Sequence, residues 1–381
     1  GELDADTTVP GVYLRNPAET THSAEAVLRL FIFCARHGIK LSWDAQRRLR
    51  AYLPVLGERF ISEPPQWNVW SELLSQPYTS LALLEMEKTG VLKAYIPEWK
   101  VVDGLVCRDF YHRYTVDEHT LVAIGVVDNL ERGQSDTSKR LQQIFHEAEE
   151  PAVLRMALLL HDIGKGTHPG EHIVGSVEIA DTVLDRIGVP DQHRHTIRFL
   201  IEHHLDLSLI MNGRDLEDPA TARFLAKRTQ TLEHLRLLTL LTYADISAVN
   251  PTAMTPWRLE QLWRVYSLGQ EQLTRELETD RIHGVDSLPP QERTPELLRF
   301  VEGLPTRYLR THTAEEIREH VSLRQRAMDQ GAAVAISAKR DSYLATVIAQ
   351  DKPSLFASIC GALASFSLNI VKAEASTNTA G

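Results

Sequence analysis

Five separated segments of the sequence each place a histidine or a carboxylate beside an apolar stretch of helical periodicity. Imidazole and carboxylate groups are ligands that proteins use for divalent metals. The segments are spread from position 119 to position 245, so a fold that brought them together would create a single site. The candidate metal ligands are His119, His161, Asp162, His172, His204 and Asp245.

The two candidate carboxylates are informative because each follows an apolar stretch of sequence. Asp245 follows LRLLTLLTYA and Asp162 follows RMALLLH, and both stretches have the pattern of buried helices. An isolated ionised carboxylate inside an apolar bundle is costly, so it persists when it is paired, hydrogen-bonded or bound to metal. A shared divalent cation would satisfy both groups. Two alternatives stay open for Asp245: it caps the next turn, or it pairs with an arginine.

A metal held by these groups predicts hydrolytic chemistry on a phosphate. A bound divalent ion lowers the pKa of its water to roughly 7, and a second ion about 4 Å away can hold both oxygens of a phosphoryl transfer. Asp162 and Lys165 are the predicted catalytic residues. Lys165 lies one helical turn beyond His161, where its ammonium could meet a phosphate oxygen. The alternative for Lys165 is an exposed side chain that complements a helix dipole.

The sequence also contains candidate residues for substrate binding and indicates a class of metal. Arg214, in NGRDLEDP, is predicted with Lys165 to bind the substrate phosphate or nucleotide. Its alternative role is an ion pair with Asp215 or Asp218. The expected cofactor is a divalent metal, Mn or Mg first, while Fe or Zn would also suit histidine-rich ligands.

The elements that must position these residues are helices. Apolar residues recur at helical spacing from Thr21 to residue 330, with Gly38 as a predicted C-cap and Ser42 as a predicted N-cap. Near residue 333 the pattern changes. AVAISAKRDSYLATVIAQD has the composition of a strand, PSLFASICGALASFSL that of a helix and NIVKAEASTN that of a strand. The predicted fold class is mainly α, with a small C-terminal α/β unit.

Composition narrows the class of protein. The chain has 381 residues, of which 43% are apolar, enough for a sizeable core in two or three domains. A net charge of −10 argues against broad binding to nucleic acid or anionic membranes. Three distant cysteines without CxxC spacing indicate a reducing, cytoplasmic location. No apolar run approaches the roughly 18 residues that span a bilayer, and the N-terminus has no signal-peptide pattern.

The ligand pattern resembles a known superfamily. His119, then His161 with Asp162, then Asp245 resemble the HD metal-dependent phosphohydrolases, and the added His172 and His204 resemble the binuclear branch. Four further segments resemble the bacterial bifunctional uridylyltransferase/uridylyl-removing enzymes: FYHRYTVDEHTL, HDIGKG, ADISAVNP and LPTRYLRTHTAEEIREH. The last resemblance, in QDKPSLFASICGALASFSLNI, is to the start of an ACT domain, with Ser354 where glycine is usual.

The resemblance implies a domain organisation. It predicts a helical HD-type phosphohydrolase bundle with an N-terminal helical region and a partial C-terminal ACT-like unit. The implied segments are a helical region (1–105), the HD domain (106–280), a helical connector (281–332) and a truncated ACT domain (333–381). The nucleotidyltransferase domain of that family does not match this sequence, so we do not expect the chain to attach UMP.

The resemblance also implies a reaction and partners. The reaction is hydrolysis of the phosphodiester that joins UMP to a tyrosine of the PII nitrogen-regulatory protein, with uridylylated PII as substrate. Glutamine would be an effector if the ACT domain were complete. Two other functions stay open: an HD phosphohydrolase that acts on a free nucleotide, alarmone or cyclic dinucleotide, and a non-catalytic scaffold that binds PII.

Overall fold

The computed structural model describes residues 11–14, 23–63, 66–106, 113–133, 139–168, 170–279, 294–338, 343–366, 368–370 and 373–378. By internal contacts the chain divides into two compact units, Gly1–Gln270 and Glu271–Gly381. The finer division into four segments stays a prediction. Cys107 and the first three residues of FYHRYTVDEHTL lie outside the described residues. Among the helices that are described, none is both long and apolar enough to cross a bilayer.

The first unit is a bundle of helices. The helices ahead of residue 106 are α1 (Ala24–His37), α2 (Trp43–Ser62), α3 (Trp67–Leu74), α4 (Thr79–Thr89) and α5 (Val91–Tyr95), followed by a 3₁₀ turn (Pro97–Val101). Those that follow are α6 (Val116–Glu131), α7 (Lys139–Glu147), α8 (Pro151–Leu160), a second 3₁₀ turn (Ile163–Gly166), α9 (His172–Ile187), α10 (Asp191–His203), α11 (Asp206–Gly213), α12 (Pro219–Thr229) and α13 (Leu232–Val249). The border between the two units falls within α14 (Pro256–Thr279).

Local sequence explains where the first of these helices begin and end. Gly38 has a φ of 66°, in the left-handed region that glycine adopts without strain, and its N–H donates to the Cys34 carbonyl at 2.9 Å. At the start of α2 the side chain of Ser42 accepts the N–H of Ala45. Both predicted caps are therefore confirmed.

The fully buried side chain of Arg155 connects helices that precede residue 106 with helices that follow it. Arg155 of α8 places Nε 3.1 Å and Nη2 2.9 Å from Asp128 Oδ1 of α6. Its Nη1 donates to the Leu74 carbonyl of α3 at 2.9 Å, and Nη2 also pairs with Glu131. Asp128 accepts in addition the Ser80 N–H of α4 at 2.7 Å. One buried polar network therefore connects α3 and α4 with α6 and α8.

The second unit is small and of mixed structure. Its elements are α15 (Pro295–Val301), α16 (Thr306–Thr311), α17 (Ala314–Gln330), β1 (Ala332–Ala338), β2 (Tyr343–Ala349) and α18 (Leu355–Ser365). The two strands are antiparallel, with Ala333 opposite Ile348. These two residues lie on the face of the hairpin that packs against Leu323 and Ala327 of α17. The predicted fold class, mainly α with a small C-terminal α/β unit, is confirmed.

Two details of the predicted C-terminal pattern are wrong. The stretch AVAISAKRDSYLATVIAQD forms two antiparallel strands, because the polar KRDS sequence separates two apolar runs. The final segment, NIVKAEASTN, contains no strand in its described residues, 369–370 and 373–378. A strand needs ladder hydrogen bonds to a neighbouring strand, and in the described residues the only ladder joins β1 and β2.

Replacing Arg155 with methionine is expected to lower the free energy of unfolding by about 3–5 kcal/mol, because Asp128 would become a buried carboxylate without its cation. Urea denaturation followed by circular dichroism measures this loss. Arg47→Met is the matched control, since Arg47 pairs with Asp44 at the surface and such pairs contribute at most about 1 kcal/mol. A loss for Arg155→Met no larger than that of the control would contradict the structural role of this network.

Candidate metal centre

The structure brings all six candidate ligands together in two groups that share one residue. In each group, one ligand atom from every residue lies within 4.8 Å of the others. The first group consists of His119, His161, Asp162 and Asp245, and the second consists of Asp162, His172 and His204. The residues that the sequence scatters over many helices therefore converge, and Asp162 is the one common to both groups.

Helix ends position most of these ligands. Helix α6 begins after Thr115, which forms a capping box with Glu118, and this box fixes the first turn in which His119 lies. His172 is the first residue of α9, and Asp245 lies in the last two turns of α13. Because helix ends meet at the same place in the bundle, short segments of sequence deliver the ligands to one site.

The backbone orients two of the imidazoles. His161 and His204 directly follow the last residues of α8 and α10, and each places Nδ1 2.7 Å from a carbonyl three residues earlier, that of Leu158 or Ile201. The last carbonyls of a helix have no intrahelical donor, so Nδ1–H donates to them and Nε2 is directed into the site. The sequence interpretation did not include these carbonyls; a histidine placed directly after an apolar helix is the signal that could have indicated them.

In the first group, carboxylate oxygens face imidazole nitrogens. Asp245 Oδ1 lies 2.9 Å from His119 Nε2 and 3.6 Å from His161 Nε2. Asp162 Oδ2 lies 3.3 Å from His161 Nε2 and 2.6 Å from Lys165 Nζ. Asp245 is an interior residue of α13 and contacts imidazoles, so neither alternative for it, a cap or an arginine pair, is found among the described residues.

In the second group, the other oxygen of Asp162 faces two further imidazoles. Asp162 Oδ1 lies 3.7 Å from His172 Nε2 and 4.0 Å from His204 Nε2, and the two Nε2 atoms are 3.4 Å apart. Asp162 therefore directs one oxygen towards each group. This arrangement suits a carboxylate that is shared between two cations.

Burial and neighbouring charges together determine the pKa values of the site residues. Burial opposes positive charge on His161, but the neighbouring carboxylates of Asp162 and Asp245 outweigh it and raise the pKa of His161 to about 10. Burial also opposes ionisation of Asp162, yet His161 and Lys165 hold its pKa well below the usual range. Burial lowers the pKa of His204 to about 4. The first group thus favours positive charge, and His204 keeps a neutral imidazole with a lone pair for a ligand.

The donor set fits a divalent metal. His161 Nε2 and Asp162 Oδ1 are buried and have no hydrogen-bond partner among the described residues. Such buried polar atoms are rare because they lose their hydration without compensation, and a coordinated cation would satisfy them. Mixed imidazole and carboxylate donors suit several divalent ions, so the set indicates a divalent metal without selecting one.

The two predicted substrate contacts occupy different positions. Lys165 lies in the second 3₁₀ turn and pairs with Asp162, so its side chain belongs to the metal centre. Arg214 is exposed at the end of α11, and its guanidinium carbon lies 3.9 Å from the centroid of the Phe224 ring. Within the described part of the chain, no contact joins Arg214 to either ligand group or to an acidic neighbour. A role for Arg214 in substrate binding stays a prediction.

Comparison with protein families agrees with this geometry. The model of the HD domain matches residues 130–247, a range that contains all the candidate ligands except His119. Together with the two ligand groups and the similarity to the relatives below, this match defines the class: the chain contains an HD domain of the metal-dependent phosphohydrolase superfamily.

The relatives of the chain narrow this class further. Bifunctional uridylyltransferase/uridylyl-removing enzymes from Rhodospirillum rubrum and Azospirillum brasilense are each 30% identical to it over 93% of its length. The enzyme of that name from Nitrobacter hamburgensis is 30% identical over 98% of the chain. The chain spans 39–41% of the length of these relatives. The resemblance to this family of bifunctional enzymes is thereby confirmed.

Asp162→Asn is expected to reduce the metal content of the purified protein more than His172→Ala does, because Asp162 belongs to both ligand groups and His172 to one. The measurement is elemental analysis after dialysis against Mn²⁺ and removal of free ions. His195→Ala is the matched control, since His195 is exposed and bonds to the Asp191 carbonyl, outside both ligand groups. Parental metal content in Asp162→Asn would contradict the assignment of both groups.

Proposed function

We propose that the chain is a uridylyl-removing phosphodiesterase that hydrolyses the bond between UMP and a tyrosine of the PII protein. The observation that carries the proposal is the carboxylate of Asp162, directed at two histidine groups in a chain similar to proteins named for uridylyl removal. The substrate, uridylylated PII, is inferred from this similarity and from the sequence motifs. Metal-dependent hydrolysis is inferred from the two ligand groups.

The ligand groups would hold the metal in a defined way. His119, His161, Asp162 and Asp245 would bind one divalent ion, Mn²⁺ or Mg²⁺ first, and His172 and His204 with Asp162 would bind a second ion or the substrate phosphate. A divalent ion at this position lowers the pKa of a water and neutralises charge on phosphoryl oxygens. In the hydrolysis, water oxygen forms a new bond to phosphorus, the bond from phosphorus to the tyrosine oxygen breaks, and tyrosine leaves.

The chain's own residues would prepare and stabilise this step. Carbonyls of Leu158 and Ile201 hold the imidazoles of His161 and His204 in place, so little reorganisation is needed when substrate binds. The Lys165 ammonium lies 2.6 Å from Asp162 Oδ2 and its side chain is 22% exposed, so it can reach a phosphoryl oxygen that enters the site. There it would stabilise the negative charge of the transition state.

The proposal also includes the cellular location, the partners and the effector of the protein. A cytoplasmic location, without nucleic-acid or membrane partners, agrees with a net charge of −10. Glutamine would act through the ACT-like unit if that domain were complete. The α/β unit that follows α17 supports the presence of a small accessory domain in this position.

The purified chain is expected to release UMP from uridylylated PII in the presence of Mn²⁺ or Mg²⁺, because the ligand groups supply the metal that the hydrolysis needs. Mass spectrometry of PII and chromatography of UMP measure the reaction. A chelator should abolish the release and added metal should restore it. Turnover of free nucleotides, alarmones or cyclic dinucleotides without turnover of uridylylated PII would contradict the proposed substrate and leave the HD assignment intact.

Lys165→Met is expected to lower kcat about 10²- to 10³-fold while the metal content stays at the parental level, because the ammonium acts on the transition state. Steady-state kinetics beside elemental analysis separate these two effects. Lys227→Met, an exposed lysine in the last turn of α12, is the control and should keep parental kcat. If Lys165→Met turned over at the parental rate, the lysine would have no part in the chemistry.

A further inference from the structure

A third acidic group lies outside the histidine site. Glu87 near the end of α4, Asp103 after the first 3₁₀ turn and Asp117 in the first turn of α6 each offer an oxygen within 4.8 Å of the others. Lys93 Nζ lies 3.0 Å from Glu87 Oε1 and 2.7 Å from Asp103 Oδ2. Lys93 thus pairs with two of the three carboxylates, and no ion pair with Asp117 is found among the described residues.

Two carboxylate oxygens of this group have no hydrogen-bond donor in the part of the chain that the structure describes. Asp117 is only 8% exposed, and its Oδ1 is buried without a hydrogen-bond partner among the described residues. The same holds for Glu87 Oε2, while Lys93 contacts the other oxygen of that carboxylate. A buried acceptor without a donor costs about 1–3 kcal/mol, and a charged one costs more. The two oxygens belong to different helices and to the same group, so one ligand could satisfy both.

The pKa of Glu87 reflects its burial beside two other acids. Burial raises the pKa of Glu87, and the charges of Asp103 and Asp117 act in the same direction, so the pKa stays raised although Lys93 lowers it. A raised pKa favours the neutral acid, and a divalent cation bound here would favour the ionised carboxylates that coordinate it.

We propose that Glu87, Asp103 and Asp117 form a separate binding site for a hard divalent cation such as Ca²⁺. All three ligands are oxygens, which Ca²⁺ and Mg²⁺ prefer, whereas the imidazoles of the histidine site suit transition metals. Water would complete the coordination. The cation would connect α4 and the segment after the first 3₁₀ turn to the start of α6, two residues before His119. Its role is to fix the position of the helix that carries this metal ligand.

Calorimetric titration of the full chain with Ca²⁺ tests the site directly. We expect one Ca²⁺ to bind per chain in the parent and also in Asp162→Asn, whose histidine site is impaired. Glu87→Gln and Asp117→Asn should weaken binding at least about tenfold, since each removes a ligand charge. Asp103→Asn tests the same effect at an exposed position, where folding is not at risk, and circular dichroism verifies the fold of every variant.

Two further measurements test whether Ca²⁺ binds at this acidic group. Ca²⁺ should raise the melting temperature of the parent but not that of Glu87→Gln, because a ligand that binds only the folded chain stabilises it. Lys93→Gln removes the competing ammonium and should tighten Ca²⁺ binding about tenfold. Glu72→Gln, which alters a half-buried acid of α3 outside the group, is the control and should bind Ca²⁺ like the parent.

The proposal would be overturned if the parent showed no saturable Ca²⁺ binding up to about 10 mM, the weak end of protein calcium sites. It would also be overturned if Asp103→Asn and Glu87→Gln bound Ca²⁺ as the parent does. Loss of binding in Asp162→Asn alone would assign the ion to the histidine site and overturn the proposal as well.

Discussion

The carboxylate of Asp162 is the group on which the metal centre depends. One oxygen faces His161 and Lys165, and the other faces His172 and His204, all within 4.0 Å. Because Asp162 is buried, its charge must be compensated from within the fold. Imidazoles from three helix ends and one ammonium surround it, so the surrounding helices have to meet at this carboxylate.

Helix termini provide the means by which the chain builds this centre. Side chains at a helix end can satisfy backbone groups that lack intrahelical partners, and His161 and His204 do so with the carbonyls of Leu158 and Ile201. The same contact restricts rotation of the ring. A capping box does comparable work for His119 by fixing the first turn of α6. Local hydrogen bonds therefore orient ligands whose convergence is set by long-range packing.

Much of the site could be predicted from the sequence because the ligands lie in or beside segments with apolar residues at helical spacing. Asp162 and Asp245 were recognisable as charges that follow apolar stretches of the sequence. Other features left no such signal. The chain has 51 acidic residues, so nothing in its sequence singles out Glu87, Asp103 and Asp117, which only the packing of α4 against α6 brings together. The β-hairpin could not be recognised in the sequence, because its two strands and their connection together have the composition of one longer strand.

The Arg155 network bears on where the hydrolase domain begins. The HD match starts at residue 130, between Asp128 and Glu131, and both of these carboxylates contact the same guanidinium. That guanidinium also bonds to the end of α3, and Asp128 bonds to the start of α4. A boundary drawn from similarity thus passes through one connected set of hydrogen bonds and ion pairs. Cutting the chain at residue 130 would separate these partners, so we expect an independently folding hydrolase to include the helices from α3 onwards.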